Sequence, residues 1–172
     1  MKHDIQWDEG SSRLREAFAA GGAFILAVDR SGKVNPMTIG WGQVGVVWTR
    51  PIFTAYVRES RYTHECLLAA DTFTINVPRA GELVDELAFC GTKSGRDLDK
   101  TAEVGLKLAE GRAVDTPILA DCVLHYECRI VARTQQKRAD LDSEEILGRF
   151  YPRGDHHLVV FGEIVAAYAA LG

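Results

Sequence analysis

A chain of 172 residues, 47% apolar and 26% charged, has the makeup of a soluble globular protein and is long enough for one domain, residues 1–172, with a real core. A formal net charge of −4 with no long basic stripe excludes a nucleic-acid partner, and no apolar run approaches a membrane span. Met1-Lys2-His3-Asp4 lacks the apolar core of a signal peptide, and Cys66, Cys90, Cys122 and Cys128 show no CxxC spacing, so the expectation is a cytoplasmic protein with reduced thiols.

In chain order, Ser11 and Ser12 are placed to cap a helix through Ala20, with Leu14, Ala17 and Phe18 on its buried side. Ala23 to Asp29 reads as a buried strand, with a hairpin turn at Arg30-Ser31-Gly32-Lys33 leading into a strand from Val34 to Trp41. Val44 to Thr49 and Ile52 to Val57 are further strands, the second entered through Pro51. A helix over 61–70, a strand over 72–77 stopped by Pro78, and a helix over 82–89 follow. Asp121 to Thr134 and Leu158 to Ala166 have the β-branched and aromatic content of strands, and 97–115 and 139–149 read as helical or loop insertions. Strands outnumber helices and mostly follow one another through short turns. That order favours a mainly β protein, an antiparallel barrel with peripheral helices, over a doubly wound sheet.

Cys90-Gly91-Thr92-Lys93-Ser94-Gly95-Arg96-Asp97, placed after the 82–89 helix, combines glycines, hydroxyls and cations. Glycines let backbone N–H groups approach a ligand, and hydroxyls and cations bind an anion. Read alone, the segment fits either an anion-holding loop or a solvated turn. Arg58-Glu59-Ser60-Arg61-Tyr62-Thr63, between a strand and a helix, offers a second phosphate-binding set, or Ser60 as a plain N-cap with its arginines in water. Asn35, Thr38 and Trp41 supply the amide, hydroxyl and aromatic wall that a planar heterocycle needs, or else ordinary turn and core residues.

Other motifs fail on context. Gly40-Trp41-Gly42-Gln43-Val44-Gly45 matches GxGxxG, but that fingerprint needs a helix after it, and here β-branched, aromatic and proline residues follow. The histidines and cysteines have no metal-ligand spacing, and His156 and His157 are adjacent, so a strand would point them to opposite faces. There is no GxSxG, and no residue is marked as a catalytic nucleophile or base.

Taken in order, Asn35 to Trp41, Pro51 to Thr63, Phe73 to Pro78, Cys90 to Lys100, and Gly154-Asp155-His156-His157 leading to Gly162-Glu163-Ile164 resemble the FMN-binding split-barrel family of flavin reductases, in its flavoredoxin-like branch, over about residues 20 to 166. The resemblance implies a Greek-key split β-barrel, a homodimer, and FMN bound near the subunit interface. It implies that Asn35, Thr38 and Trp41 line the isoalloxazine and ribityl chain, and that Arg58, Ser60 and Thr63 meet the phosphate. Thr92, Lys93, Ser94 and Gly95, with Arg96, would wrap the phosphate or ribityl end. Lys93 near the flavin would favour its anionic reduced form. Either His156 or His157 would face the flavin, since counting from Gly154 and from Gly162 selects different residues.

The implied activity is an FMN-dependent oxidoreductase that takes electrons from NADH or NADPH, or relays them with a redox partner protein. The alternatives are an FMN-binding electron carrier without pyridine-nucleotide activity, and an interaction domain that has lost its ligand. Which nicotinamide is used, the final acceptor, and whether FMN is fixed or exchanged are not written in the sequence.

Overall fold

The computed structural model describes residues 2–170. Its strands are β1 (Lys2–Asp4), β2 (Ala23–Val28), β3 (Val34–Ile39), β4 (Gly42–Val47), β5 (Arg50–Arg58), β6 (Thr72–Val77), β7 (Leu108–Ala109), β8 (Ile118–Leu119), β9 (Leu124–Gln135) and β10 (His157–Ala170). The α-helices are α1 (Ser11–Ala20), α2 (Tyr62–Ala69), α3 (Val84–Thr92), α4 (Lys100–Glu103) and α5 (Glu144–Phe150). The main sheet is antiparallel with strand order β3-β2-β6-β9-β10-β5-β4, and β1 adds to β10. Its two ends, β3 and β4, are consecutive in the chain yet belong to opposite edges. The mainly antiparallel β architecture with peripheral helices is therefore as expected.

One face of this sheet closes on a single apolar cluster. Ile25, Met37, Phe53, Phe73, Tyr126 and Val160 come from six different strands, and Val44 of β4 packs against them. Alternating side chains of a strand point to opposite faces, so a sheet that curls round can pool every inward position into one core. The outer face of β2 is covered separately: Phe24 and Leu26 meet Leu87 and Cys90 of α3, with Leu106, Leu119 and Cys122.

Several boundaries differ from the sequence reading for identifiable reasons. α1 is capped by Gly10, and the Ser11 hydroxyl turns back to donate to the Asp8 carbonyl at 2.6 Å. A Cβ at position 10 would stand 2.3 Å from the Tyr126 hydroxyl, so close packing selects glycine there. α3 starts two residues later than expected, after Leu83 in the left-handed region, and runs on through Thr92. Cys90, Gly91 and Thr92 are thus its last turn rather than a loop after it. Arg61, not Ser60, precedes the first residue of α2. β10 continues to Ala170 because β9 and β1 pair with its far end. The hairpin at 30–33 forms as expected, with the Asp29 carboxylate accepting from the N–H groups of Ser31 and Lys33 at 2.8 and 3.0 Å. Gly40 to Gly45 runs into β4, not into a helix, and a Cβ at Gly42 would press on Phe18 and Phe53 at 3.1 Å.

The 110–116 segment is held by one buried carboxylate. Glu127 accepts from the backbone N–H groups of Arg112, Ala113 and Val114 at 2.7, 2.7 and 3.0 Å, and from the Tyr168 hydroxyl at 2.6 Å. An amide NH2 cannot accept those bonds. Glu127→Gln should therefore lower stability by about 1–3 kcal/mol, read as a drop in the urea midpoint.

Candidate functional site

At the β3–β5–β10 end of the sheet the sequence segments singled out above converge on two small hollows. The first, about 160 Å³, is lined by Met37, Thr38, Ile39, Gly40, Trp41, Tyr56, Arg58, Arg61 and His157. The second, about 120 Å³, is lined by Ser60, Arg61, Thr63 and the run from Thr92 to Arg96, with Met37, Tyr62 and Lys100. Met37 and Arg61 belong to both, so the hollows share a wall. Neither lining contains a carboxylate. Larger hollows of about 520 and 660 Å³ each carry two, Asp29 with Glu65 and Glu110 with Asp115, and would repel an anion.

The first hollow has aromatic walls. Trp41, 41% exposed, packs edge-on to Phe150 at 5.2 Å and lies 5.0 Å from the His157 ring. It is surface lining and not core. Thr38 lines the hollow while its hydroxyl donates to the Leu87 carbonyl at 2.6 Å, joining β3 to α3. His157 is the histidine on this wall. His156 is not: its ring stacks on Tyr151 at 4.8 Å, and its Nε2 is buried without a partner among the described residues.

Arg58 was expected at a phosphate but stands on the wall of the aromatic hollow. Its guanidinium donates to the carbonyls of Asp155 and Phe150 at 3.0 and 2.9 Å and lies 5.2 Å over the Tyr151 ring. Ser60 lines the second hollow, yet its N–H and hydroxyl both donate to the Asp155 carboxylate at 2.8 Å. Thr63 is buried and accepts from the Asn35 amide at 2.7 Å. Asn35 itself is buried behind that wall, with its Oδ1 unpartnered; a Cβ on Gly95 would stand 2.0 Å from it, so only glycine leaves room.

In the 92–96 segment, the exposed Thr92 hydroxyl donates back to Ala88 at 2.8 Å, Lys93 is exposed, and Ser94 accepts from the Arg96 N–H at 3.2 Å. Arg96 pairs with Glu65 and lies 5.4 Å over the Tyr62 ring. The segment is moored by Lys33, which donates to the carbonyls of Gly95 and Leu98 at 2.8 and 3.0 Å.

Two cations stand out only in three dimensions. Lys100 is 97% shielded from solvent, lines the second hollow, and among the described residues donates only to the Cys90 carbonyl at 3.3 Å. Burial pulls its ammonium down from the usual lysine range, and Arg61 nearby pulls the same way. Arg61, which adds charge to its segment in the sequence, bridges the hollows and donates to the Gly91 carbonyl at 2.8 Å. Lys100 closes the Cys90 to Lys100 segment of the resemblance, but it sits in a stretch that reads as an insertion and nothing there marks it as a ligand. Hydroxyls, backbone, the buried Lys100 and the half-buried Arg61, without a lining carboxylate, fit a phosphate, and the adjoining aromatic hollow fits a planar ring.

Comparisons with known proteins show the family and the fold. The flavin reductase like domain model matches residues 14–172. The chain belongs to that family. An uncharacterized protein of Archaeoglobus fulgidus is 30% identical over 122 residues, 71% of this chain and 68% of the relative. A high molecular weight rubredoxin of Moorella thermoacetica is 34% identical over 76 residues, 44% of this chain and 32% of that protein, so the chain spans only a third of that relative. Among solved structures, flavoredoxin from Methanosarcina acetivorans superposes with a TM-score of 0.65 at 27% identity, over 87% of this chain and 68% of its own. The NADH:FAD oxidoreductase of Streptomyces globisporus C-1027 has a TM-score of 0.65 at 21% identity, over 87% of this chain and 76% of its own, and shares the fold. No helix among the described residues is long and apolar enough to cross a membrane. The four cysteines are free and buried.

Burial, with Arg58 second, pushes the His157 ring down to about 4. In the unfolded chain it titrates near ~6.5, so the unfolded state binds the proton first as pH falls. The His157 contribution to stability must then decline from about pH 6.5 to about 4 and level off below, where both states are protonated. His125, fully buried and pushed to about 3, adds to the same acid limb. His157→Gln removes the first contribution, so its urea midpoint should fall less than that of the parent between pH 6.5 and 4.

Proposed function

We propose that the protein binds FMN and acts as an oxidoreductase. The reading places the phosphate in the hollow of Ser60, Arg61, Thr63, Thr92 to Arg96 and Lys100, and the ring against Trp41, Thr38 and Tyr56. The observation that carries it is the junction of a carboxylate-free, cation-lined hollow with an aromatic one through the shared Met37 and Arg61. FMN would supply the electron-accepting ring, and the protein's task is to hold and shape it. Lys100, which is buried, and Arg61, which is half-buried, neutralise the anion. Trp41 and Tyr56 wall the ring. Lys33 and the Thr63–Asn35 bond hold the surrounding backbone and hydroxyls in place.

Electrons come from NADH or NADPH, or pass to and from a protein partner. Similarity to a solved flavoredoxin and to a relative named as a high molecular weight rubredoxin supports the relay route. The working unit is a homodimer, in which a second copy covers Val46, Val47 and Trp48, exposed along and just after edge strand β4.

Purified protein should be yellow or take up added FMN, as followed by quenching of flavin fluorescence. Arg61→Ala and Lys100→Met should each weaken binding about tenfold or more, the worth of a charge-assisted hydrogen bond. Lys93→Met, at an exposed position, should change it by less than about threefold. Unchanged affinity in both of the first two variants would place the phosphate elsewhere. Anaerobic mixing of the flavin-loaded protein with NADH or NADPH should bleach the flavin band; a band that persists with both leaves the carrier reading instead.

A further inference from the structure

Tyr151 directly follows α5 and lies outside every sequence segment that carries the family resemblance. Its hydroxyl is 2.8 Å from Nδ1 of His157. The two groups can share that contact in two ways. If the histidine donates, the phenol proton must find another acceptor, and none is within hydrogen-bond distance among the described residues. If the phenol donates, its proton and the Nδ1 lone pair are satisfied together, and only the second ring nitrogen is left open. Near neutral pH burial keeps the pair uncharged, holding the Tyr151 phenol above and the His157 ring below their ordinary ranges. A neutral imidazole that accepts at Nδ1 carries its proton on Nε2.

That second nitrogen has no protein partner among the described residues, and the ring forms part of the wall of the aromatic hollow, 5.0 Å from Trp41 and 6.4 Å from Tyr56. The Tyr151 ring is itself fixed: His156 stacks on it at 4.8 Å, and Arg58 lies 5.2 Å over it. The charged and titratable groups around the pair are Arg58, Asp155, His156 and Tyr56.

We propose that Tyr151 is a positioning residue that locks His157 in the Nε2–H tautomer, so that this N–H donates a hydrogen bond to a carbonyl oxygen of a planar ring held in the hollow. The ring is either the flavin or a second carbonyl-bearing ring lying beside it, and the inference rests on the flavin reading of the site. It gives His157 a donor role that does not depend on its becoming charged.

Two sets of measurements test the lock and the donor role apart from each other. Nitrogen-15 NMR of histidine-labelled protein without flavin, with His157 assigned through its Gln variant, should show a pyridine-like Nδ1 and a pyrrole-like Nε2. Tyr151→Phe, confirmed as folded by near-ultraviolet circular dichroism, should move both shifts toward averaged values. A parent His157 protonated on Nδ1, or a tautomer unchanged in Tyr151→Phe, would overturn the lock.

For the donor role, FMN is titrated into the apoprotein and p-hydroxybenzaldehyde into the flavin-loaded protein. Tyr151→Phe and His157→Asn should weaken one of these ligands by about three- to tenfold, the worth of one neutral hydrogen bond. His157→Gln, whose amide N–H reaches the place of Nε2, should keep affinity within about threefold of the parent. Loss in the first titration identifies the flavin as the acceptor, and loss in the second alone identifies the added ring. No loss in either overturns the donor role. Failure of the parent to bind FMN would overturn the flavin reading and the donor role that rests on it, while the labelled spectrum, which needs no flavin, would still decide the lock.

Discussion

The pairing of β5 with β10 is the constraint on which the site depends. It sets His157 opposite Arg58 and Val159 opposite Tyr56, and so brings two distant parts of the chain to one wall. A slip of one residue would turn every one of these side chains to the opposite face of the sheet. The register is pinned from the buried side by Phe53, Ala55, Val57, Leu158 and Val160, all of which sit in the core cluster. It is pinned at the end by Asp155 on Ser60 and by Arg58 on the carbonyls of Phe150 and Asp155. Core packing and a polar clasp therefore specify the same alignment.

That clasp changes the meaning of two residues. Arg58 and Ser60 have the chemistry of phosphate ligands, and the loop between a strand and a helix is a reasonable place for one. Here their donors are committed to the segment that carries Tyr151 and the histidines. On the proposed reading the anion-binding chemistry falls instead to Arg61, one residue further on, and to Lys100, which is almost fully enclosed and among the described residues donates only to a carbonyl. A buried ammonium without a carboxylate is costly by itself, and an anionic ligand offsets that cost. This is why an enclosed lysine on a hollow carries more weight than the exposed Lys93 in the more conspicuous motif.

On the same reading the two hollows divide the labour of binding. The hydroxyl and cation side is built from the N-terminal end of α2 and the end of α3 with the turn after it, moored by Lys33 and by the Asn35–Thr63 bond. The aromatic side is built from β3, β5 and β10, with Phe150 and Tyr151 at the end of α5 packed behind it. Strands fix the walls to a rigid sheet, whereas loops near the anion side can present backbone groups.

Local sequence determined a good part of this. β2 and β6 show their β-branched and aromatic runs, the 30–33 turn follows from its residues, and proline and β-branched residues after Gly45 rule out a helix there, because each of these depends on neighbours in the chain. Only the tertiary structure decided the rest. β1 is three residues long and exists because β10 offers it an edge. α3 extends through Thr92 because Cys90 packs under it in the outer cluster. Adjacent histidines look equivalent in sequence, and the β5–β10 register is what sends His157 to the hollow and leaves His156 stacked on Tyr151. Lys100 gains its meaning from burial, and Ser60 loses its free donors to a carboxylate 95 residues away. Side-chain chemistry is legible one residue at a time; which donors are free and which are spent depends on contacts between segments that the sequence does not place together.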